Sequence, residues 1–149
     1  MMIAVADYER FLMPFDIAWN SLRRPFGIHY CGSDPHRFAE VFSRLPHLDF
    51  LDVGWGGDVA RLRQTLPTTF LNIRYSPVEI VRQTPDEIRH NVRRLMSQAG
   101  NPWLTGMCCI NMDQQVTDEQ VTALLEEVEI LRAEHGVLHE SQKQDYPVT

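Results

Sequence analysis

The sequence contains no apolar run approaching the roughly 20 residues that a bilayer-spanning helix needs, so no membrane span is expected. It also lacks an excess of basic charge: 14 Lys and Arg stand against 20 Asp and Glu, for a formal net charge of −6. Phosphate backbones and anionic lipids are gripped by clustered cations, so neither nucleic acid nor a membrane surface is an expected partner. Cysteine is scarce, with 3 in 149 residues, two of them adjacent at Cys108 and Cys109. That makes a poor disulfide framework and leaves thiols available for metal or redox chemistry in a reducing compartment. The opening residues carry Asp7 and Glu9 in place of a basic leader followed by an apolar stretch, and a cytoplasmic chain is expected. Low-complexity tracts and internal repeats are missing as well.

What is present is a hydrophobic content of 44%, enough for one domain with its own core. Short apolar runs alternate with amphipathic segments, the pattern of repeated βα units around a parallel sheet, so the expected class is α/β. Residues 5–22 read as a helix, interrupted or kinked at Pro14. Strands are expected at residues 25–31, 48–53, 68–73 and 103–110. After the first strand, Asp34 and Pro35 signal an N-cap and first turn, with Phe38, Val41, Phe42 and Leu45 as the apolar stripe. The second strand runs into the turn Gly54-Trp55-Gly56-Gly57 and a short helix over 58–66.

Two further helices announce themselves by capping-box spacing. Thr84 and Glu87 precede a face of Ile88, Val92, Leu95, Met96 and Ala99 that ends at Gly100. Thr117 and Gln120 precede Val121, Leu124, Leu125, Val128 and Leu131, expected to be buried, with Gly136 as the stop. The domain therefore spans residues 1–136. A tail of residues 137–149 shows no periodicity and is expected to be partly disordered. Four parallel βα units form either an open sheet or half of an eight-stranded barrel.

In parallel α/β folds, chemistry sits at the carboxyl ends of the strands. Those ends supply His29 and Cys31, then Asp52, then Asn72, then Cys108 and Cys109. Strand side chains alternate, so His29 and Cys31 share one side, about 6.6 Å apart along the strand, with Tyr30 opposed. Both can reach one metal. A thiol from the fourth strand, Cys108 or Cys109, would complete three protein ligands and leave a fourth position for substrate, as catalytic zinc sites do. A free cysteine is also a common small core residue. Asp52 is a candidate general base or outer partner of a metal ligand, and Asn72 a candidate catalytic polar group or loop anchor. His36, His47 and His90 fall on helix or loop positions. His135 and His139 are separated by Gly136, which breaks the helix that would align them. The Gly54–Gly57 turn lacks phosphate-binding spacing.

The stretch YERFLMPFDIAWNSLRRPFGIHYCG, from Tyr8 to Gly32, resembles a segment of the uroporphyrinogen decarboxylase superfamily that leads into the fifth barrel strand. The resemblance continues through HLDFLDVGWGGDVARLRQTLP, LNIRYSPVEIVRQTPDEI and GMCCINMDQQVTDEQV. It implies half of a (β/α)8 TIM barrel, strands five to eight. The H-x-C at His29 and Cys31 with a later cysteine is similar to the zinc site of the superfamily's corrinoid-dependent methyltransferases, which methylate a thiol of the coenzyme M type. The resemblance thus implies one zinc per chain on His29, Cys31 and one of the adjacent cysteines. Cys108 is preferred because C-C-I here matches the family's C-G-I. It also implies a small thiol substrate, and a partner protein carrying methyl-corrinoid. Leu71-Asn72 stands where the family usually has G-N, and the segment after Cys109 is longer. The rival readings are a metal-free decarboxylase with Asp52 in an acid-base role, and a non-catalytic truncated or split subunit whose partner supplies the other half-barrel. Four curved strands leave two unpaired edges, so a homo-oligomer, most simply a two-fold dimer, is expected.

Overall fold

A computed structural model of the chain describes residues 3–136. The 137–149 tail and its expected disorder, and with it His139, lie outside the described residues. The architecture is α/β. Four short strands, β1 (Gly27–His29), β2 (Phe50–Val53), β3 (Phe70–Arg74) and β4 (Thr105–Cys108), form one sheet in the order β1-β2-β3-β4. Every neighbouring pair is parallel. All four expected strands are present, each shorter than the apolar run that announced it, although β3 reaches one residue further, to Arg74.

Right-handed crossovers between successive neighbours carry the chain always to the same side, so a sheet in sequential order has its helices on one face. Burial follows that rule. On the covered face Leu51, Val53, Leu71 and Ile73 are fully enclosed, whereas Phe50 on the other face is 38% exposed. Helix α4 (Val59–Thr65) and the long helices α5 (Pro85–Ala99) and α6 (Asp118–Glu134) supply the cover. Two core clusters result. One gathers Phe38, Phe42, Leu51, Leu62 and Leu71, and the other Ile80, Ile88, Val92, Leu124 and Leu131.

Both capping boxes are formed. The Thr84 hydroxyl accepts from Glu87 N–H while the Glu87 side chain accepts from Thr84 N–H, and Thr117 and Gln120 do the same. Gly100 ends α5 at φ 70°, a conformation that glycine adopts without strain. Asp58 caps α4 by accepting from Arg61 N–H at 2.9 Å. Arg63 on α4 then ties the amino-terminal approaches of two strands together. Its guanidinium donates to the carbonyls of Ala99 (2.8 Å), Thr69 (2.9 Å) and Leu104 (2.8 Å).

Some expectations need correction. The expected interruption of the 5–22 helix is present but falls just before Pro14: α1 (Val5–Asp7) widens into a π turn over Tyr8–Leu12, and α2 (Met13–Leu22) restarts with Pro14 in its first turn. Proline tolerates a first turn because it lacks the N–H that would go unused there, and the wide turn absorbs its clash with the preceding carbonyl. Asp34 does not cap a helix with its side chain. It accepts from the Tyr30 hydroxyl at 2.7 Å and pairs with Arg37, while Pro35–Phe38 form a 3-10 turn before the short α3 (Ala39–Phe42). On α6, Leu125 is 57% exposed, not buried. The buried stripe runs through Gln120, Ala123, Leu124, Glu127 and Leu131, which leaves Leu125 one residue round the helix from α5.

Candidate active face of the sheet

Register brings the candidate residues into rows. His29 pairs with Asp52, Asp52 with Asn72, and Asn72 with Gly106, so the three polar side chains lie side by side across the uncovered face. One step nearer the carboxyl ends, Arg74 pairs with Cys108. One step below, Phe50 and Phe70 stack with centroids 5.7 Å apart and form the floor. At Gly106 a Cβ would come within 3.2 Å of Asn72 Oδ1, so the absent side chain leaves room for the Asn72 amide.

The groups touch. His29 Nδ1 lies 2.5 Å from Asp52 Oδ2, and Arg74 donates to the same oxygen at 2.9 Å. Arg74 also stands 3.5 Å from His29 Nδ1 and 4.0 Å from Cys31 Sγ. The Asn72 amide donates to Asp52 Oδ1 and to Cys108 Sγ, both at 3.3 Å. Contact with Cys31 and with Asp52 raises the His29 pKa. The reciprocal effect of His29, assisted by Arg74, lowers that of the exposed Cys31 thiol. Five of the six expected site residues, His29, Cys31, Asp52, Asn72 and Cys108, thus share one face.

Cys109 does not join them. Period-two alternation turns its side chain to the covered face, where it packs against the cluster of α5 and α6, and burial pushes its pKa up to about 11. The adjacent cysteines therefore have different environments, and Cys108 is the one beside His29, Asp52 and Asn72. Of the other histidines, His36 accepts from Asp58 N–H at 3.2 Å, and the His47 backbone binds Asn20. Both are structural contacts.

The residue that sequence reasoning missed is Arg74. The third strand was expected to end at Ile73, one residue short, although the alternation Phe70, Asn72, Arg74 points to it. Its side chain is 1% exposed, and it brings a fixed cation into the middle of the polar row.

One imidazole and two thiols on one face are a donor set suited to zinc. Their spacing is not that of a metal site as arranged here, and the Arg74 guanidinium, 3.5 Å from His29 Nδ1 and 4.0 Å from Cys31 Sγ, is a cation that opposes a second one beside them. Among the described residues no three His, Cys, Asp or Glu side chains are grouped closely enough to hold an ion.

The glycine turn after β2 has a packing role. A Cβ at Gly54 would lie 1.6 Å from the Gly32 carbonyl oxygen, and one at Gly57 would lie 2.7 Å from Pro35. The turn is pressed against the loop that follows β1, which holds Cys31 beside β2. No helix among the described residues is long and apolar enough to cross a membrane. No family model matches the chain, and neither a curated protein nor a solved structure matches it.

Proposed function

We propose that this chain is a uroporphyrinogen decarboxylase-like half-barrel that transfers a methyl group from a corrinoid protein to a small thiol. The observation that carries the reading is that His29, Cys31 and Cys108 all lie on the uncovered face at the strand ends, linked through Asp52, Asn72 and Arg74. His29, Cys31 and Cys108 would hold zinc, which when bound lowers the pKa of a substrate thiol so that it is present as the thiolate. Asp52 orients the His29 ring through Nδ1, leaving Nε2 as the ligating nitrogen, and Asn72 positions the Cys108 sulfur. The stacked Phe50 and Phe70 rings give the row an apolar floor.

A second reading is favoured by Arg74. A buried guanidinium paired with Asp52 beside His29 is a metal-free arrangement suited to a carboxylated substrate, with Asp52 in acid-base chemistry. Metal content separates the two. The methyltransferase reading expects close to one zinc per purified chain, most of it lost in Cys31→Ala, because two remaining protein ligands bind weakly. Metal-free protein after purification with zinc supplied, or full zinc retention in that variant, would overturn it in favour of the second.

Either activity calls for a cover over the open face. Strands β1 and β4 are the sheet edges, and Phe11, Phe15, Trp19 and Leu22 form an exposed apolar stripe along the first helical segment, 53%, 74%, 68% and 80% exposed. These surfaces support assembly with a second copy, or with a partner supplying the other half-barrel.

A further inference from the structure

A polar cavity of about 260 Å³ opens at the carboxyl ends of β2 and β3, between the Gly54–Gly57 turn and α5. Its lining includes Gly56, Gly57, Arg74, Ser76, Asn91 and Arg94, and Glu79 is the one carboxylate lining it among the described residues. We propose that it binds the oxyanion group of a small ligand, a phosphate or a carboxylate.

Three observations converge on that chemistry. Arg94 is a cation without a carboxylate: its guanidinium donates only to neutral oxygens, Asn91 Oδ1 at 3.3 Å and Gln98 Oε1 at 3.5 Å, and it forms no ion pair among the described residues. Such long bonds to amides leave most of its donor capacity unused, and a guanidinium fork matches the paired oxygens of carboxylate and phosphate. Arg74 also lines the cavity, and its Nε is buried with no hydrogen-bond partner. A buried, unpaired charged donor is costly, so a ligand oxygen that reached it would remove that cost. Ser76 Oγ accepts from Glu79 N–H at 3.2 Å, which leaves its own hydroxyl proton free to donate.

Arg74 is common to this cavity and to the uncovered face, where its other two nitrogens meet Asp52, His29 and Cys31. A ligand held here by its oxyanion sits beside the polar row without needing a metal, so the inference is independent of the zinc reading. Glu79 opposes a second negative charge and sets the preference toward a singly charged group.

Calorimetric titration of the chelator-treated full chain with inorganic phosphate, and separately with acetate, tests this. Saturable binding of one equivalent of either anion is expected, and which anion binds tells phosphate from carboxylate. Arg94→Gln should weaken it at least about tenfold, the loss of one charge-assisted contact. Glu79→Gln should tighten it, and it provides a second measurement should Arg94→Gln not fold. Absence of binding by the unaltered chain, or binding insensitive to both substitutions, would overturn the inference. Because the protein is stripped of metal first, failure of the zinc assay leaves this result intact, and the reverse also holds.

Discussion

Arg74 and Asp52 meet at 2.9 Å on the uncovered face of the sheet, the arginine side chain 1% exposed and the aspartate side chain 16%. The same carboxylate receives His29 at 2.5 Å, so one acid holds two bases in register at the ends of three adjacent strands. Without Arg74 the Asp52 carboxylate keeps His29 and Asn72, so what is lost is one charged hydrogen bond, at a cost of about 1.5–3 kcal/mol. Arg74→Met should lower the unfolding free energy by roughly that amount in urea, and adding Asp52→Asn should recover much of it. Equal stability of the single variant and the unaltered chain would show that the pair does not hold the sheet ends.

The three thiols should differ in reactivity. Cys31 is exposed with its pKa lowered by His29 and then by Arg74, whereas burial pushes the Cys109 thiol up to about 11. Only the thiolate alkylates, so in chelator-treated protein iodoacetamide should label Cys31 first near neutral pH and leave Cys109 until the solution is strongly alkaline. Peptide mass spectrometry across a pH series reads this directly. His29→Gln should move the Cys31 profile to higher pH.

The two adjacent cysteines provide a metal test that does not depend on activity. Cys108→Ser should lose most of any bound zinc, while Cys109→Ser should retain it, because the Cys109 side chain packs among apolar residues on the covered face. The opposite pattern would refute the assignment of the ligand set to the uncovered face.

Thr84 and Glu87 close a reciprocal cap on α5. Thr84→Ala should destabilise the chain by about 1 kcal/mol. Hydrogen bonds from the Thr84 backbone and side chain hold the Glu87 carboxyl below the usual glutamate range. A depressed carboxyl pKa contributes stability above the unfolded value and loses it as pH falls through the folded one. The difference between Thr84→Ala and the unaltered chain should therefore shrink in acid, as followed by thermal melts from neutral pH downward.

Open strand edges and the exposed row of Phe11, Phe15, Trp19 and Leu22 lead to a prediction about assembly. Sedimentation at micromolar concentration should give a species at twice the 17.3 kDa of one chain, and Phe15→Glu should shift it toward the monomer. A stable monomer of the unaltered chain would mean that the sheet tolerates its bare face in water.

Much of this was legible along the chain. Both capping boxes were readable because a cap joins residues three apart and needs no distant partner. The side of each strand residue followed from alternation, and alternation also separates Cys108 from Cys109. The Asp34 side chain was misread because Tyr30 and Arg37 outcompete the helix end for its carboxylate, a choice that only packing makes. Leu125 was misplaced because a helix buries the stripe its neighbour touches, and the orientation of α5 is not written in α6.

The sequence by itself determined the alternation of strand and helix, the helix starts, and the supply of polar residues at the strand ends, all properties of neighbours within one turn or one pleat. The tertiary structure alone decided that His29, Asp52 and Asn72 fall into one row, that Arg74 is buried among them, and that among the described residues the helices cover one face of the sheet. Register and burial are nonlocal: hydrogen bonds between strands some 20 residues apart set which side chains meet, and a charge is enclosed only when several elements close around it.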